Sequence, residues 1–191
     1  MAKVALQEGA VIINDTSGLY DPEMPAVVTG HAATLVLTHA AAAPGEWSPS
    51  PHYTDVVREV HDHLAERMSY ANAHGIATER LIIDPGPDLN KNTLHTLEIC
   101  RRFEEFTDLG APVLAAVSNK DFIGESTDLP KSGRGTVSAV SAALCVERGA
   151  RLVRTHDPAG IRHTMDYLAC LAGWRSPTTL RHNMPEGGAG S

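Results

Sequence analysis

The sequence lacks long hydrophobic runs and has few aromatic residues. Phe, Trp and Tyr make up 5% of its 191 residues, and no apolar stretch approaches the roughly 20 residues that a membrane-spanning helix needs. The first ten residues, MAKVALQEGA, contain no apolar core of the kind found in secretory signal peptides. We therefore expect no membrane partner and a cytoplasmic location.

Cysteine is scarce as well. Cys100, Cys145 and Cys170 are an odd number of thiols without CxxC spacing, which argues against a disulfide framework and against a zinc site. Free thiols are typical of proteins in a reducing cytoplasm. The residues alone predict no metal ligands.

Basic residues are in the minority. The chain has 16 Lys and Arg against 23 Asp and Glu, and its formal net charge is −7. An acidic chain is not expected to bind nucleic acid through bulk electrostatic attraction, although a local basic pocket can still hold a small anion. The motif GxGxxG and the P-loop motif are both absent, so neither dinucleotide nor P-loop binding is favoured.

Short apolar runs alternate with helical patterns along the chain. The runs are rich in Val, Ile and Leu, as in strands buried on both faces of a parallel sheet, and they lie at 10–15, 34–39, 80–84, 112–118 and 151–156. Amphipathic helices are predicted between them, at 53–75, 93–110 and 136–149. The alternation predicts an α/β fold. We expect one domain over residues 1–175 and a disordered polar tail over 176–191.

Polar residues follow every predicted strand. Because ligands bind at the carboxyl ends of the strands in such folds, these residues predict a ligand site; they are Asn14, Asp15, His39, Asp84, Ser118, Lys120, Arg154, His156 and Asp157. The cationic side chains suit a phosphate or pyrophosphate. Asp84 and Asn14 suit the N–H donors of a flat heterocycle. The residues alone therefore indicate a nucleotide-like or pterin-like ring that bears phosphates.

Several segments leave two interpretations open. His61 and His63 flank Asp62 like metal ligands, but positions i and i+2 face different sides of a helix, so a solvated face is favoured. His39 either lines the ligand pocket or bonds to the backbone. Residues 127–136 form either a mobile loop or a lid over phosphates, and 39–53 form either an active-site flap or a disordered loop.

Five motifs in order resemble those of the dihydropteroate synthases. INDTSG (13–18) is similar to INDVSG of that family, and DPGPDLNK (84–91) is similar to DPGxxFxK. YTDVVREVHDHLAER (53–67) resembles its YxDVVxEV helix. AAVSNKDFIG (115–124) and LVRTHDP (152–158) resemble SRKSFIG and VRVHDV. The resemblance covers about residues 4–175.

The resemblance implies a fold, a reaction and roles for residues. The family is a TIM barrel that joins 6-hydroxymethyl-7,8-dihydropterin pyrophosphate to p-aminobenzoate with the help of Mg²⁺, giving 7,8-dihydropteroate and pyrophosphate. This chain would form a partial TIM (β/α)8 barrel, its C-terminal five βα units, as a pterin-binding domain. By resemblance, Asn14, Asp84 and Lys120 would bind the pterin, Arg154 and His156 the pyrophosphate, and Ser118 would lie on the p-aminobenzoate side. A homodimer through the later barrel helices is expected.

The sequence also departs from the family pattern. Leu89 stands where the family has a Phe, which weakens the expected stacking on the pterin ring. Asn119 stands where the family has an Arg, which weakens the expected binding of p-aminobenzoate. The first three family strands, with the usual Mg²⁺ ligand, have no counterpart, so we expect a fragment, a late-start gene or a degenerate paralogue with open edges at 10–15 and 151–156. A non-catalytic pterin-binding paralogue and a pterin-binding methyltransferase module are the alternatives to the synthase.

Overall fold

The computed structural model describes residues 1–40 and 50–183, which form seven α-helices and five β-strands. The helices are α1 Ala2–Gln7, α2 Met24–Gly30, α3 Val56–Ala73, α4 Thr93–Arg101, α5 Asp121–Thr127, α6 Gly135–Glu147 and α7 Pro158–Leu171. The strands are β1 Ile12–Asp15, β2 Thr34–Thr38, β3 Leu81–Asp84, β4 Leu114–Ala115 and β5 Leu152–Val153. Short 3₁₀ turns cover Thr78–Arg80, Phe103–Leu109 and Lys131–Gly133.

The five strands lie side by side in chain order and run parallel. β1 pairs with β2, β2 with β3, and β4 with β5. A parallel bridge between Ile83 and Val113 joins β3 to the segment before β4. Every neighbouring pair of strands, including β1 and β2, is linked by at least one helix. The helices pack on the same side in one core cluster, which is the arrangement of successive units in a β/α barrel. The predicted α/β fold with a partial barrel is confirmed.

Both faces of the sheet are apolar, which explains why the strands do not alternate in hydrophobicity. Leu35, Leu37 and Ile83 point toward the helices and are fully buried. On the opposite face Val36 and Ile82 form a smaller cluster with Leu114 and Leu152. Residues aligned across parallel strands share a face, so Thr38 and Asp84 also lie on this inner face, above Val36 and Ile82.

Helix α3 forms as its sequence predicts. Asp55 caps its first turn by accepting hydrogen bonds from the amides of Val57 and Arg58. Its apolar stripe is buried against the sheet, and Leu64 at the centre has no exposed surface. Gly75 follows the last turn with φ +85°, a conformation that glycine adopts without steric cost.

The predicted helix over 93–110 is wrong in its second half. Helix α4 ends at Arg101, and a 3₁₀ turn follows over Phe103–Leu109. With three residues per turn, positions i and i+3 lie on one side, so Phe103 and Phe106 are both fully buried, with their rings 6.0 Å apart. Leu94, an apolar residue of the same predicted amphipathic helix, is 74% exposed.

Two predicted segments fall partly outside the described residues. The loop over 39–53 includes 41–49, and the tail over 176–191 includes 184–191; those residues lie outside the description. Residues 176–183 are exposed and contain no helix or strand. Across residues 1–40 and 50–183, no helix has the length and apolar character to cross a membrane.

Candidate functional site

A cavity of about 490 Å³ opens at the carboxyl ends of β4 and β5. Its wall consists of Asp88, Ala116, Ser118, Asn119, Lys120, Asp121, Lys131, Arg154, Thr155 and His156. Four of the predicted site residues, Ser118, Lys120, Arg154 and His156, are therefore brought together. Three cationic side chains, of Lys120, Lys131 and Arg154, face two carboxylates in this wall, so its net charge is positive and suits an anionic ligand.

Ser118 orients the histidine side of this cavity. Its hydroxyl lies 3.0 Å from Nδ1 of His156 and accepts a hydrogen bond from the His156 amide at 3.2 Å. The amide of Arg154 donates to the carbonyl of Ala115 at 3.0 Å, which continues the pairing of β4 and β5 beyond their assigned ends. The backbone thereby carries Arg154 and His156 to the rim of the same cavity.

Asp84 ends β3 and is fully buried. Its Oδ1 accepts a hydrogen bond from the amide of Gly86 at 2.8 Å, whereas its Oδ2 has no partner among the described residues. Burial raises the pKa of this carboxyl, and the nearby Arg154 and Lys120 act in the opposite direction. Asp84 lies close to these two cations although it does not itself line the cavity wall.

A second unpartnered polar atom lies beside Asp84. Thr38 is the partner of Asp84 in the register of β2 and β3, and its buried Oγ1 also has no partner in the part of the chain that the structure describes. Buried polar atoms in proteins nearly always have partners. Two neighbouring exceptions on one sheet face make this place a candidate position for the hydrogen-bonding groups of a ligand. Sequence reasoning missed Thr38.

The sharp turn after Asp84 depends on Gly86. Its φ is +67°, and a Cβ at this position would overlap the carbonyl oxygen of His39. Only glycine allows β2 and the turn after β3 to approach so closely. The Pro-Gly-Pro sequence therefore turns the chain directly above the carboxylate.

Lys91 is the buried cation next to this turn. Its Nζ lies 2.8 Å from Nδ1 of His39 and donates to the carbonyls of Gly86 and Leu89, each at 3.0 Å. Burial lowers the pKa of Lys91 to about 7, although Asp84 acts to raise it. Burial, with the charge of Lys91, lowers the pKa of His39 to about 2, so the ring is neutral and accepts from Lys91 at Nδ1. Sequence reasoning gave Lys91 no role.

Two residues predicted for the site do not line the main cavity. His39 lines a separate cavity of about 430 Å³ with Tyr53 and His63. Asn14 is exposed on β1 and aligned with Val36, so it shares the inner sheet face with Thr38 and Asp84 but does not line the cavity that holds Arg154. The sequence could not reveal this separation, because position along each strand depends on register.

His61 and Asp62 agree with the solvated-face interpretation, whereas His63 lines the cavity of His39. Nε2 of His61 lies 2.9 Å from Oδ1 of Asp108 on the surface. Burial acts to lower the pKa of His61, but the carboxylates of Asp108 and Asp62 raise it above its usual value. Within residues 1–40 and 50–183, no three His, Cys, Asp or Glu side chains converge on a point where they could hold a metal ion. Mg²⁺ in phosphate sites is often held by only one or two protein ligands together with the phosphates, so the Mg²⁺ that the resemblance implies stays a prediction.

The fold and the cavity define a class: a β/α-barrel protein with a cavity lined by cationic side chains at the carboxyl ends of its strands. The sequence profile of a family described as "Pterin binding enzyme" matches residues 1–156. A Mycobacterium tuberculosis (strain ATCC 25618 / H37Rv) protein named "Inactive dihydropteroate synthase 2" is 38% identical over 185 residues, which are 93% of this chain and 58% of that protein.

Solved structures agree. The structure of dihydropteroate synthase from Stenotrophomonas maltophilia, with imidazole in its active site, superimposes with a TM-score of 0.87 at 35% identity over 93% of this chain and 66% of that one. The structure of the Xanthomonas albilineans dihydropteroate synthase in complex with 7,8-dihydropteroate superimposes with a TM-score of 0.82 at 34% identity, over 92% of this chain and 63% of that one. The chain belongs to the pterin-binding enzyme family, among the dihydropteroate synthases and their relatives. It spans less than two thirds of the length of these proteins.

Proposed function

We propose that this chain forms the pterin and pyrophosphate portion of a dihydropteroate synthase site. The observation that carries the proposal is the buried Asp84, whose Oδ2 has no partner among the described residues and lies near Lys120 and Arg154. A carboxylate held in this way accepts hydrogen bonds from the ring N–H groups of a pterin. The nearby cations suit a pyrophosphate on the same ligand.

The reaction proposed is the displacement of pyrophosphate by an aromatic amine. The bond between the pterin methylene carbon and the pyrophosphate oxygen breaks, a new bond forms from that carbon to the amine nitrogen of p-aminobenzoate, and the amine loses a proton. Asp84 stabilises the positive charge that develops on the ring as pyrophosphate leaves. Arg154 and His156 hold the leaving pyrophosphate, and Ser118 positions the His156 ring.

Two further assignments remain part of the proposal. Lys120 contacts the pterin and, with Ser118, borders the p-aminobenzoate side of the cavity. Asn14 is proposed as a second pterin contact from β1, although it does not line the cavity.

A homodimer is proposed through α6 and α7, where Val140, Leu144, Tyr167 and Leu171 are exposed apolar residues. Light scattering of the purified chain tests it.

A non-catalytic pterin-binding protein is the second candidate. The M. tuberculosis relative is named inactive, and this chain has Leu89 and Asn119 where the family resemblance places an aromatic ring and an arginine. Both changes affect ring stacking and the p-aminobenzoate side more than the hydrogen bonds of Asp84. Turnover of the pterin pyrophosphate with p-aminobenzoate separates the candidates, because both predict pterin binding and only the synthase predicts product.

Asp84→Asn tests the proposed site by isothermal calorimetry with a 6-hydroxymethylpterin pyrophosphate analogue. The amide removes the charged acceptor, so we expect the affinity to fall about ten- to a hundredfold. Asp15→Asn is the matched control, since Asp15 is also a buried carboxylate at a strand end but bonds to the amides of Ser17 and Leu19. Equal affinity of wild type and Asp84→Asn would reject the role of Asp84.

A further inference from the structure

Side chains from three other segments bond to the backbone of the loop that carries Lys120. The amide of Asn119 donates to Oγ of Ser138 at 3.0 Å. The amide of Asp121 donates to Oδ2 of Asp88 at 2.6 Å. Nη1 of Arg134 donates to the carbonyls of Asn119 and Lys120, each at 3.1 Å. The polar groups on both sides of Lys120 are therefore held by side chains distant in sequence.

The loop needs this support because its backbone is bent. Asn119 has φ +56°, in the left-handed region, and Lys120 directly after it is extended, with φ −69° and ψ 157°. A non-glycine residue in the left-handed region persists when its surroundings hold it there. Asn tolerates this conformation better than most residues, which suits its presence at position 119.

Arg134 has the largest share of these contacts. Its Nε donates to the carbonyl of Leu129 at 3.2 Å, and its Nη1 lies 2.9 Å from Oδ1 of Asp121. Its side chain is 13% exposed. The guanidinium lies over Gly124, where a Cβ would overlap it. The loop at 127–136 therefore directs Arg134 onto the backbone beside the cavity.

The Asp121 contact has an electrostatic consequence for Lys120. Asp121 lines the cavity and directly follows Lys120. Freed from Arg134, its carboxylate would be available to pair with the Lys120 ammonium in place of an anionic ligand. By holding both Asp121 and the two carbonyls, Arg134 leaves the charge of Lys120 for the ligand.

We propose that Arg134 is a positioning residue, which acts through Lys120 on the anionic ligand of the carboxyl-end cavity. This inference rests on the proposed function, because it requires a pterin pyrophosphate in that cavity. The guanidinium fixes the bend at Asn119 and pairs with Asp121, and the ligand contact itself belongs to Lys120.

Three variants test the proposal by calorimetry with the same pterin pyrophosphate analogue. Arg134→Met removes the contacts, Arg134→Lys keeps the charge without the guanidinium fork, and Gly124→Ala displaces the guanidinium while leaving Arg134 in the chain. We expect each variant to bind the analogue more weakly, and Arg134→Met by roughly tenfold. Arg134→Lys should also bind it more weakly, because an amine cannot reproduce the planar set of donors of a guanidinium. Gly124→Ala also covers the case in which Arg134→Met fails to fold.

Matched controls lie away from the cavity, at the end of α6 and at the end of α2. Arg148→Met removes a guanidinium that donates to the carbonyls of Arg101 and Leu144. Gly30→Ala, at the last residue of α2, adds a methyl group where nothing lies within 4 Å. Both controls should bind the analogue within about twofold of wild type, as expected for substitutions away from the site.

A double-mutant cycle with Lys120→Met separates positioning from general stability. If Arg134 acts through Lys120, Arg134→Met should lower the affinity for the analogue by less than about twofold in a chain that already carries Lys120→Met. An equal loss in both backgrounds, or unchanged affinity of Arg134→Met, would overturn the inference alone. A folded wild-type chain that fails to bind the analogue would instead overturn the proposed function, and the inference with it.

Discussion

At the scale of single residues, Asp15 and Asp84 show what distinguishes a structural carboxylate from a candidate ligand. Both end a strand and both are buried, with 6% and 0% exposure. Asp15 receives hydrogen bonds from the amides of Ser17 and Leu19, so its charge is satisfied locally. Asp84 receives one, from Gly86. The turn after each strand decides the difference.

Arg154→Ala is expected to lower the affinity for the analogue that bears pyrophosphate far more than the affinity for free 6-hydroxymethylpterin. The guanidinium offers paired donors that match phosphate oxygens, and a charged hydrogen bond contributes about 1.5–3 kcal/mol, so the loss should reach at least about tenfold. Calorimetry with both ligands measures it. Arg151→Ala, an exposed arginine before β5 that does not line the cavity, is the control. Equal losses for the two ligands would contradict the phosphate assignment.

Lys91 predicts a pH dependence of stability. Its pKa is about 7 in the folded chain and returns to about 10.4 on unfolding. Between these values the unfolded chain binds more protons, so the free energy of unfolding rises as the pH rises through this window. The rise due to Lys91 is at most about 1.4 kcal/mol per pH unit.

Urea denaturation between pH 7 and pH 10 measures this dependence in wild type and in Lys91→Met. We expect the variant to show a shallower rise, because Met does not titrate. His39 is neutral in the folded chain across this range, since its pKa there lies far lower, and in the unfolded chain it adds to the slope only near pH 7. If the free energy of unfolding rose with pH at the same slope in both chains, Lys91 would not be held as a buried, destabilised cation.

At the scale of helices, burial decides which apolar residues matter. Leu64→Ala on α3 should destabilise the chain by about 2–5 kcal/mol, because it leaves a cavity in a fully packed core. Leu94→Ala on α4 makes the same chemical change at a 74% exposed position, and should change stability by no more than about 0.5 kcal/mol. Denaturant unfolding compares them. Similar losses would mean that α4 packs through Leu94 after all.

The sequence predicted some helices well and missed others for physical reasons. Helix α3 has a capping Asp55, a long apolar stripe and Gly75 at its end, so local signals and burial agree. Helices α2 and α5 have seven residues each, too few to establish a period of 3.6 residues. Helix α7 was missed although Asp157 caps it and Pro158 begins it; Leu168 is its one buried residue.

The site was predictable in type but not in geometry. Cations and a carboxylate at strand ends indicated a phosphate-bearing ring, and the structure brings Lys120, Arg154 and His156 into one cavity. The roles of Thr38 and Lys91 depend on register and on a buried contact with His39, which one sequence does not reveal. Arg134 was hidden because its partners lie across a loop.

At the scale of the whole molecule, the described strands form an open arc. β1 and β5 lie at the two ends of the strand order, and Val11 and Ile12 at the β1 edge are 72% and 48% exposed. The inner sheet face carries Thr38 and Asp84 just above its apolar cluster. The cavity at β4 and β5 lies at the same carboxyl end as these two residues, and we propose that one extended ligand spans both.

A crystal structure of the 191-residue chain with the pterin pyrophosphate analogue tests this central claim most directly. We predict density for the ring with its N–H donors within hydrogen-bond distance of Oδ2 of Asp84, and for the pyrophosphate against Arg154 and His156. Such a complex would join the buried carboxylate and the cationic cavity in one site. Density for the analogue elsewhere, or an empty Asp84 site at a concentration that saturates binding in solution, would contradict the account.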